Sequence, residues 1–100
     1  MMKSMIRYKV KADRAEENQH FVENVFEELR RSSPPGLHYA TFKLKDGVSF
    51  VHIVSIETPE NPLGQLPAFQ AFQADIKDRC EEQPVAVELE EVGSYQFFSH

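Results

Sequence analysis

His52 lies in the middle of SFVHIVSI, where Val48, Phe50, His52, Val54 and Ile56 form one apolar row at every second position. Histidine is the side chain best suited to moving protons near neutral pH. An imidazole held in an apolar, aromatic pocket can take the proton of a phenol and so favour the phenol's reaction with oxygen. His52 is therefore the candidate catalytic residue, with Tyr8, Phe50, Phe69 and Phe72 as candidate neighbours in a binding pocket. His38 lies on the strand before it in the same hairpin and joins them as a candidate binding residue. The plain alternative for both histidines is a sheet residue with a satisfied ring nitrogen, and for Phe69 and Phe72 a place in the core.

Other chemistries find less support. A metal site needs three or four converging ligands, and His38 and His52 supply two. Cys80 stands beside Glu81 and Glu82, which raise a thiol pKa rather than lower it, so it is no nucleophile. His20 falls on an exposed helix face and His100 at the terminus. Gly36, Gly47, Gly64 and Gly93 are scattered and build no phosphate-cradling loop, so no cofactor is implied. Asp75, Lys77, Asp78 and Arg79 read as a solvated helix face.

The elements that must position these residues follow from periodicity. Met5 to Lys11 alternates as a half-buried strand. Asp13 and Glu16 have the spacing of a capping box. Phe21, Val22, Val25, Phe26 and Leu29 then trace one stripe of a helix about five turns long. Ser32-Ser33-Pro34-Pro35-Gly36 ends it. Leu37 to Leu44 and Val48 to Ile56 are strands joined at Asp46-Gly47, a strong hairpin signal. Two registers are open. A three-residue loop pairs Leu44 with Val48, and a two-residue loop pairs Lys45 with Val48. The first is preferred, because it sets Phe42 opposite Phe50 and Ala40 opposite His52 on a nearly all-apolar face. It also places His38 in the row of His52, and Tyr39 and Thr41 in the opposite row. Glu57 to Gln65 is a loop in which Asn61-Pro62 caps a single turn. Pro67 opens a second helix carrying Phe69, Phe72 and Ile76. Glu81-Glu82-Gln83-Pro84 breaks it. A last strand holds Val85, Val87 and Leu89 and extends as far as Tyr95, and Gln96 to His100 form a loose tail.

Strand-helix-strand-strand-helix-strand is the order of a ferredoxin-like α+β domain, residues 1–100 making one such unit. Right-handed crossovers put both helices on one face of a four-stranded antiparallel sheet in the order four, one, three, two. The third strand is nevertheless apolar on both sides, since Val51 and Ile53 lie opposite the His52 row. A second copy of the chain covering the open face satisfies it. Arg7 and Lys9 are then expected to face Glu88 and Glu90 there.

These segments bring a family into view. IRYKVKADRAEEN entering a helix, the hairpin PPGLHYATFKLKDGVSFVHIVSI and the helix LPAFQAFQADI resemble the dimeric α/β-barrel superfamily, in particular antibiotic-biosynthesis-monooxygenase-like proteins. The resemblance spans roughly Met5 to Tyr95. It implies a homodimer packed sheet to sheet and a small-molecule cavity between helices and sheet. Some such proteins are cofactor-independent oxygenases of polycyclic phenols or quinols, others degrade haem, and many have no known role. The acidic residue and tryptophan common late in the third strand of such proteins are replaced here by Val54 and Ile56. The chain has no tryptophan, so the Asn, Trp and His set of a haem degrader is incomplete.

Composition narrows the partners. Sixteen acidic against eleven basic residues give a net charge of −5, which disfavours nucleic acid and anionic membranes. No apolar run reaches a membrane span, there is no secretory signal, and a lone cysteine suits a reducing cytoplasm. Two functions remain. One is a cofactor-independent monooxygenase-like protein acting on a small aromatic or polyketide-like molecule. The other is a non-catalytic dimeric module that binds a small molecule or regulates.

Overall fold

A computed structural model describes residues 2–97. Strand β1 (Met2–Val10) leads through a 3-10 turn at Ala12–Arg14 into α1 (Ala15–Ser32). Then come β2 (Leu37–Lys43), β3 (Ser49–Ile56), a 3-10 turn at Pro62–Gln65, α2 (Pro67–Ala74), α3 (Ile76–Arg79) and β4 (Cys80–Glu88). The strands form one antiparallel sheet in the order β2-β3-β1-β4. This is the ferredoxin-like order expected, with β1 and β3 central. No helix among the described residues is long and apolar enough to cross a membrane. Of the tail expected at Gln96 to His100, residues 98–100 lie outside the described part.

The capping box is not formed. Asp13 is absorbed into the 3-10 turn and no side chain caps α1. Arg14 instead reaches Glu17 at 2.9 Å, Asp75 at 3.0 Å and Asp78 at 3.1 Å, tying the start of α1 to the end of the second helical segment. At the other end Ser33 turns left-handed (φ +43°) and donates its N–H to the Leu29 carbonyl. Asn61 caps the short turn by accepting the Leu63 N–H. The second helix is broken at Asp75 into α2 and α3. The Ala68 N–H at the start of α2 donates to Glu28 of α1 at 2.8 Å, where a helix N-terminus favours an anion.

The hairpin adopts the second register, not the preferred one. Tyr39 pairs with Val54, Thr41 with His52 and Phe42 with Val51. The turn decides this. Asp46 accepts the N–H groups of Val48 and Ser49 through Oδ1 and the Ser49 hydroxyl through Oδ2. Gly47 takes φ +78°, a region only glycine enters freely, and donates to the Leu44 carbonyl. The Leu44 N–H then donates to the Ser49 carbonyl across four intervening residues. A shift of one residue exchanges faces throughout a strand. Tyr39 and Thr41 therefore turn toward the helices, while His38, Ala40 and Phe42 turn away.

The last strand differs as well. It starts at Cys80, runs through Glu81-Glu82-Gln83-Pro84 and stops at Glu88, short of Tyr95. Proline is tolerated because β4 is an edge strand with a bulged register at this point. The bulge sets Arg7 opposite Val85 and Ser4 opposite Glu88. The expected pairing of Arg7 and Lys9 with Glu88 and Glu90 is thus absent. Glu88 is on the helix side, and Lys9 pairs with Glu81 at 3.0 Å.

Between sheet and helices the core gathers Tyr8, Val10, Val22, Val25, Phe50, Val54, Ile56, Leu63, Leu66, Phe72 and Cys80. Phe21, Phe26 and Leu29 pack against it from α1. Among the described residues no helix covers the opposite face. Two ladders cross it, Val87–Met5–Ile53–Ala40 and Val85–Arg7–Val51–Phe42. Phe42, Val85 and Val87 are exposed by 48%, 61% and 45% of their surfaces.

Candidate active site

A cavity of about 340 Å³ opens between the sheet and the second helical segment. From the sheet come Ile6, Tyr8, Tyr39 and His52, and from the helices Phe69, Phe72 and Ile76. Asn61, Leu63 and Gly64 of the connecting loop close one side. Not one of its described lining residues is Asp, Glu, Lys or Arg. Its size is at the small end of pockets that hold drug-sized ligands.

Alternation along β1 and β3 places Tyr8 and His52 on the helix side, one pair apart, since Tyr8 is opposite Phe50 and His52 opposite Ile6. The Tyr8 hydroxyl is 2.7 Å from His52 Nε2. The Tyr39 hydroxyl is 2.6 Å from Nδ1, and Thr41 Oγ1 lies 3.1 Å from the same nitrogen. Both ring nitrogens are engaged. His52 is 3% exposed, and burial pushes its pKa down to about 4, because the charged ring would lose its hydration. Burial also raises Tyr8 above the ordinary phenol range and pushes Tyr39 up to about 12. The three groups are held neutral at physiological pH.

The polar chain continues inward. Asn18 Nδ2 donates to the Tyr8 hydroxyl at 2.9 Å, and Arg79 Nε donates to Asn18 Oδ1 at 3.0 Å. Arg79 also donates to the Phe72 carbonyl at 2.6 Å and to Asp75, and its guanidinium lies 4.6 Å from the Phe21 ring centre and 5.2 Å from that of Phe72. Asn18 and Arg79 are both 0% exposed. Burying a cation is costly unless its donors are paired, and here carboxylate, amide, carbonyl and two aromatic faces surround it.

Of the residues singled out from sequence, His52, Tyr8, Phe69 and Phe72 come together at this cavity. Phe50 does not line it. Phe50 is one pair further along the sheet, where it stacks on Tyr8 at 5.6 Å and packs in the core. His38 is on the other face of the sheet because of the register. It is exposed, bonds Glu57 at 2.8 Å and borders a separate cavity of about 550 Å³ beside residues 89–97. Cys80 is buried at the start of β4, and burial rather than its acidic neighbours raises its thiol pKa. Among the described residues no three His, Cys, Asp or Glu side chains converge as metal ligands.

Sequence reasoning missed Asn18, Tyr39, Thr41 and Arg79 as site residues. Two carried a signal. Asn18 continues the stripe Val22, Val25, Leu29 of α1, and Arg79 continues Phe69, Phe72, Ile76. A polar residue in an apolar stripe marks a buried polar contact. Arg79 is thus no part of a solvated face.

Comparison with solved structures agrees with this architecture. A crystal structure of an antibiotic biosynthesis monooxygenase matches with a TM-score of 0.70 and 18% identity over 93% of this chain and 100% of that one. Rv0793 from Mycobacterium tuberculosis matches at 0.74 and 12% identity over 93% and 96%. A variant of SnoaB, a cofactor-independent oxygenase from Streptomyces nogalater, matches at 0.67 and 14% identity over 93% and 94%. The fold is that of the antibiotic biosynthesis monooxygenase structures. No family model matches the sequence, and no curated protein does.

Proposed function

We propose that this protein is a cofactor-independent monooxygenase acting on a small, uncharged, phenol-bearing aromatic or polyketide-like molecule. The observation that carries this reading is the uncharged 340 Å³ cavity in which His52 and Tyr8 meet Phe69 and Phe72. The fold shared with SnoaB is consistent with such chemistry. Phe69 and Phe72, with ring centres 5.9 Å apart, offer apolar surface to a flat ring. No cation stands among the described lining residues, which disfavours carboxylates and phosphates, since they would be buried unpaired.

A phenol whose O–H meets the Tyr8 oxygen has a path for its proton, through the Tyr8 hydroxyl, to His52 Nε2. The phenolate so formed is the electron donor to oxygen. For 1-naphthol the balance is one naphthol and one O₂ giving one 1,4-naphthoquinone and one water; the ring loses two hydrogens and gains one oxygen. Moving a proton from a phenol of pKa about 10 to an imidazole at about 4 is uphill by about 8 kcal/mol. That is below the roughly 17 kcal/mol barrier of a reaction proceeding once per second, and attraction within the resulting ion pair lowers it further.

The test is oxygen uptake with 1-naphthol. One O₂ consumed per quinone formed, without peroxide, is the expected result. His52→Ala should then slow turnover by about 10²–10⁴-fold, the usual worth of general-base assistance. Binding without oxygen uptake would overturn the catalytic reading and favour a ligand-binding or regulatory module. The engagement of both His52 nitrogens within the protein favours that second reading.

The active unit in this proposal is a homodimer joined through the open sheet face. The two ladders, apolar but for Arg7, and the exposure of Phe42, Val85 and Val87 support it.

A further inference from the structure

Arg79 and Asn18 do not line the cavity; both are completely buried, and together they end a polar chain that begins at the cavity-lining Tyr8 and His52. We propose that this buried pair fixes the direction of every hydrogen bond in the chain Arg79–Asn18–Tyr8–His52–Tyr39, and so holds His52 as the tautomer with its proton on Nδ1 and a bare Nε2. Arg79 and Asn18 are then positioning residues for His52. The inference deepens the catalytic reading and depends on it only for the direction in which a ligand's proton travels.

The order follows from what each group is able to do. A guanidinium only donates. The Asn18 atom 3.0 Å from Arg79 Nε must therefore be the oxygen. The amide nitrogen is thereby turned to Tyr8, 2.9 Å away, and the Tyr8 oxygen accepts. A hydroxyl has one proton to give. Among the described residues the one acceptor within hydrogen-bond reach of the Tyr8 hydroxyl is His52 Nε2 at 2.7 Å, so the proton is directed there and Nε2 accepts. A neutral imidazole that accepts at Nε2 carries its proton at Nδ1. Nδ1 then donates to the Tyr39 oxygen at 2.6 Å, with Thr41 Oγ1 also in reach. The opposite tautomer would aim an Nε2 proton at an oxygen that already accepts from Asn18, and would leave the Tyr8 proton without this partner.

The order has a consequence at the cavity. The Tyr8 oxygen keeps one lone pair for the hydroxyl proton of a ligand, and Nε2 stands behind it as the destination. The proton of Tyr39 is left to Thr41 or to the ligand. His52 acts through Tyr8, and the groups that meet the ligand are the two tyrosine hydroxyls.

The test is nitrogen NMR of the full-length, isotope-labelled protein at neutral pH without ligand, in which long-range proton–nitrogen correlations separate a protonated from a bare ring nitrogen. His52 is expected to be neutral, with the proton on Nδ1. A proton on Nε2, or a charged ring, would overturn the proposal whatever the turnover with phenols proves to be. Asn18→Asp is the variant that reverses the order. A carboxylate beside Arg79 accepts from both neighbours, so Tyr8 donates to it and His52 should move its proton to Nε2. Tyr8→Phe is the second variant. It cuts the chain while leaving Asn18 and Arg79 in place, and the Nε2–H fraction should rise. A His52 that stays wholly in the Nδ1–H form in either folded variant would show that Tyr39 and Thr41 set the tautomer, and would overturn the role of Arg79 and Asn18.

Discussion

Tyr8→Phe removes one oxygen atom and leaves the ring. The stacking on Phe50, at 5.6 Å and 12° between planes, is retained, and so is the packing against Phe72 at 6.3 Å. What is lost is the bridge between Asn18 Nδ2 and His52 Nε2. Each of those atoms is left buried without its partner, at about 1–3 kcal/mol apiece. Release from burying the phenol oxygen offsets part of this, so the net loss is about 2–4 kcal/mol. Against a total stability of roughly 5–15 kcal/mol this is a large fraction. For a domain of this size it lowers Tm by about 10–30 °C. Urea denaturation should show a lower midpoint with an unchanged slope. Tyr95→Phe is the control, because Tyr95 is 86% exposed, and it should change stability by less than about 0.5 kcal/mol. If Tyr8→Phe proves as stable as the parent, the buried polar chain is not a structural unit and the reasoning fails.

Acid should act partly through His52. Its folded pKa of about 4 is below the ordinary value of 6.5, so between those pH values the unfolded chain binds a proton that the folded protein refuses. Stability therefore falls as pH drops from 6.5 to 4, by about 3 kcal/mol from this group alone at about 1.4 kcal/mol per pH unit. His52→Gln should flatten that part of the stability profile, and an equally steep profile in the variant would refute the assignment. Ile53→Asp on the open sheet face should turn a dimer into monomers or prevent folding, because it would bury an unpaired charge in the interface. Sedimentation of the native protein as a monomer would refute the dimer.

Much of the fold was legible because alternation and helical stripes survive in a chain with ordinary composition. The strand order, both helices and Pro67 at a helix start follow from pattern alone. What was not legible came from single side chains outweighing a pattern. Asp46 gathers three hydrogen bonds in the hairpin turn and thereby sets the register, against the more uniform apolar face that the other register offered. The bulges opposite β1 and Pro84 within an edge strand moved Glu88 to the helix side. The candidate site was half legible. His52, Tyr8, Phe69 and Phe72 belong to apolar rows that point at one another. Tyr39 and Thr41 depended on the register, and Asn18 and Arg79 on reading a polar residue in an apolar stripe as a buried contact rather than a surface one.

The cavity beside His52 is expected to take an uncharged aromatic ring. NMR shift changes mapped during titration with 1-naphthol and, separately, with 1-naphthoate, which has the same rings and a negative charge, decide this. Naphthol should bind and move the resonances of Tyr8, His52, Phe69 and Phe72, with naphthoate at least tenfold weaker, since no cation among the described lining residues meets its charge. Equal binding of the two, or shift changes confined to the open sheet face around Ile53 and Val87, would contradict the account.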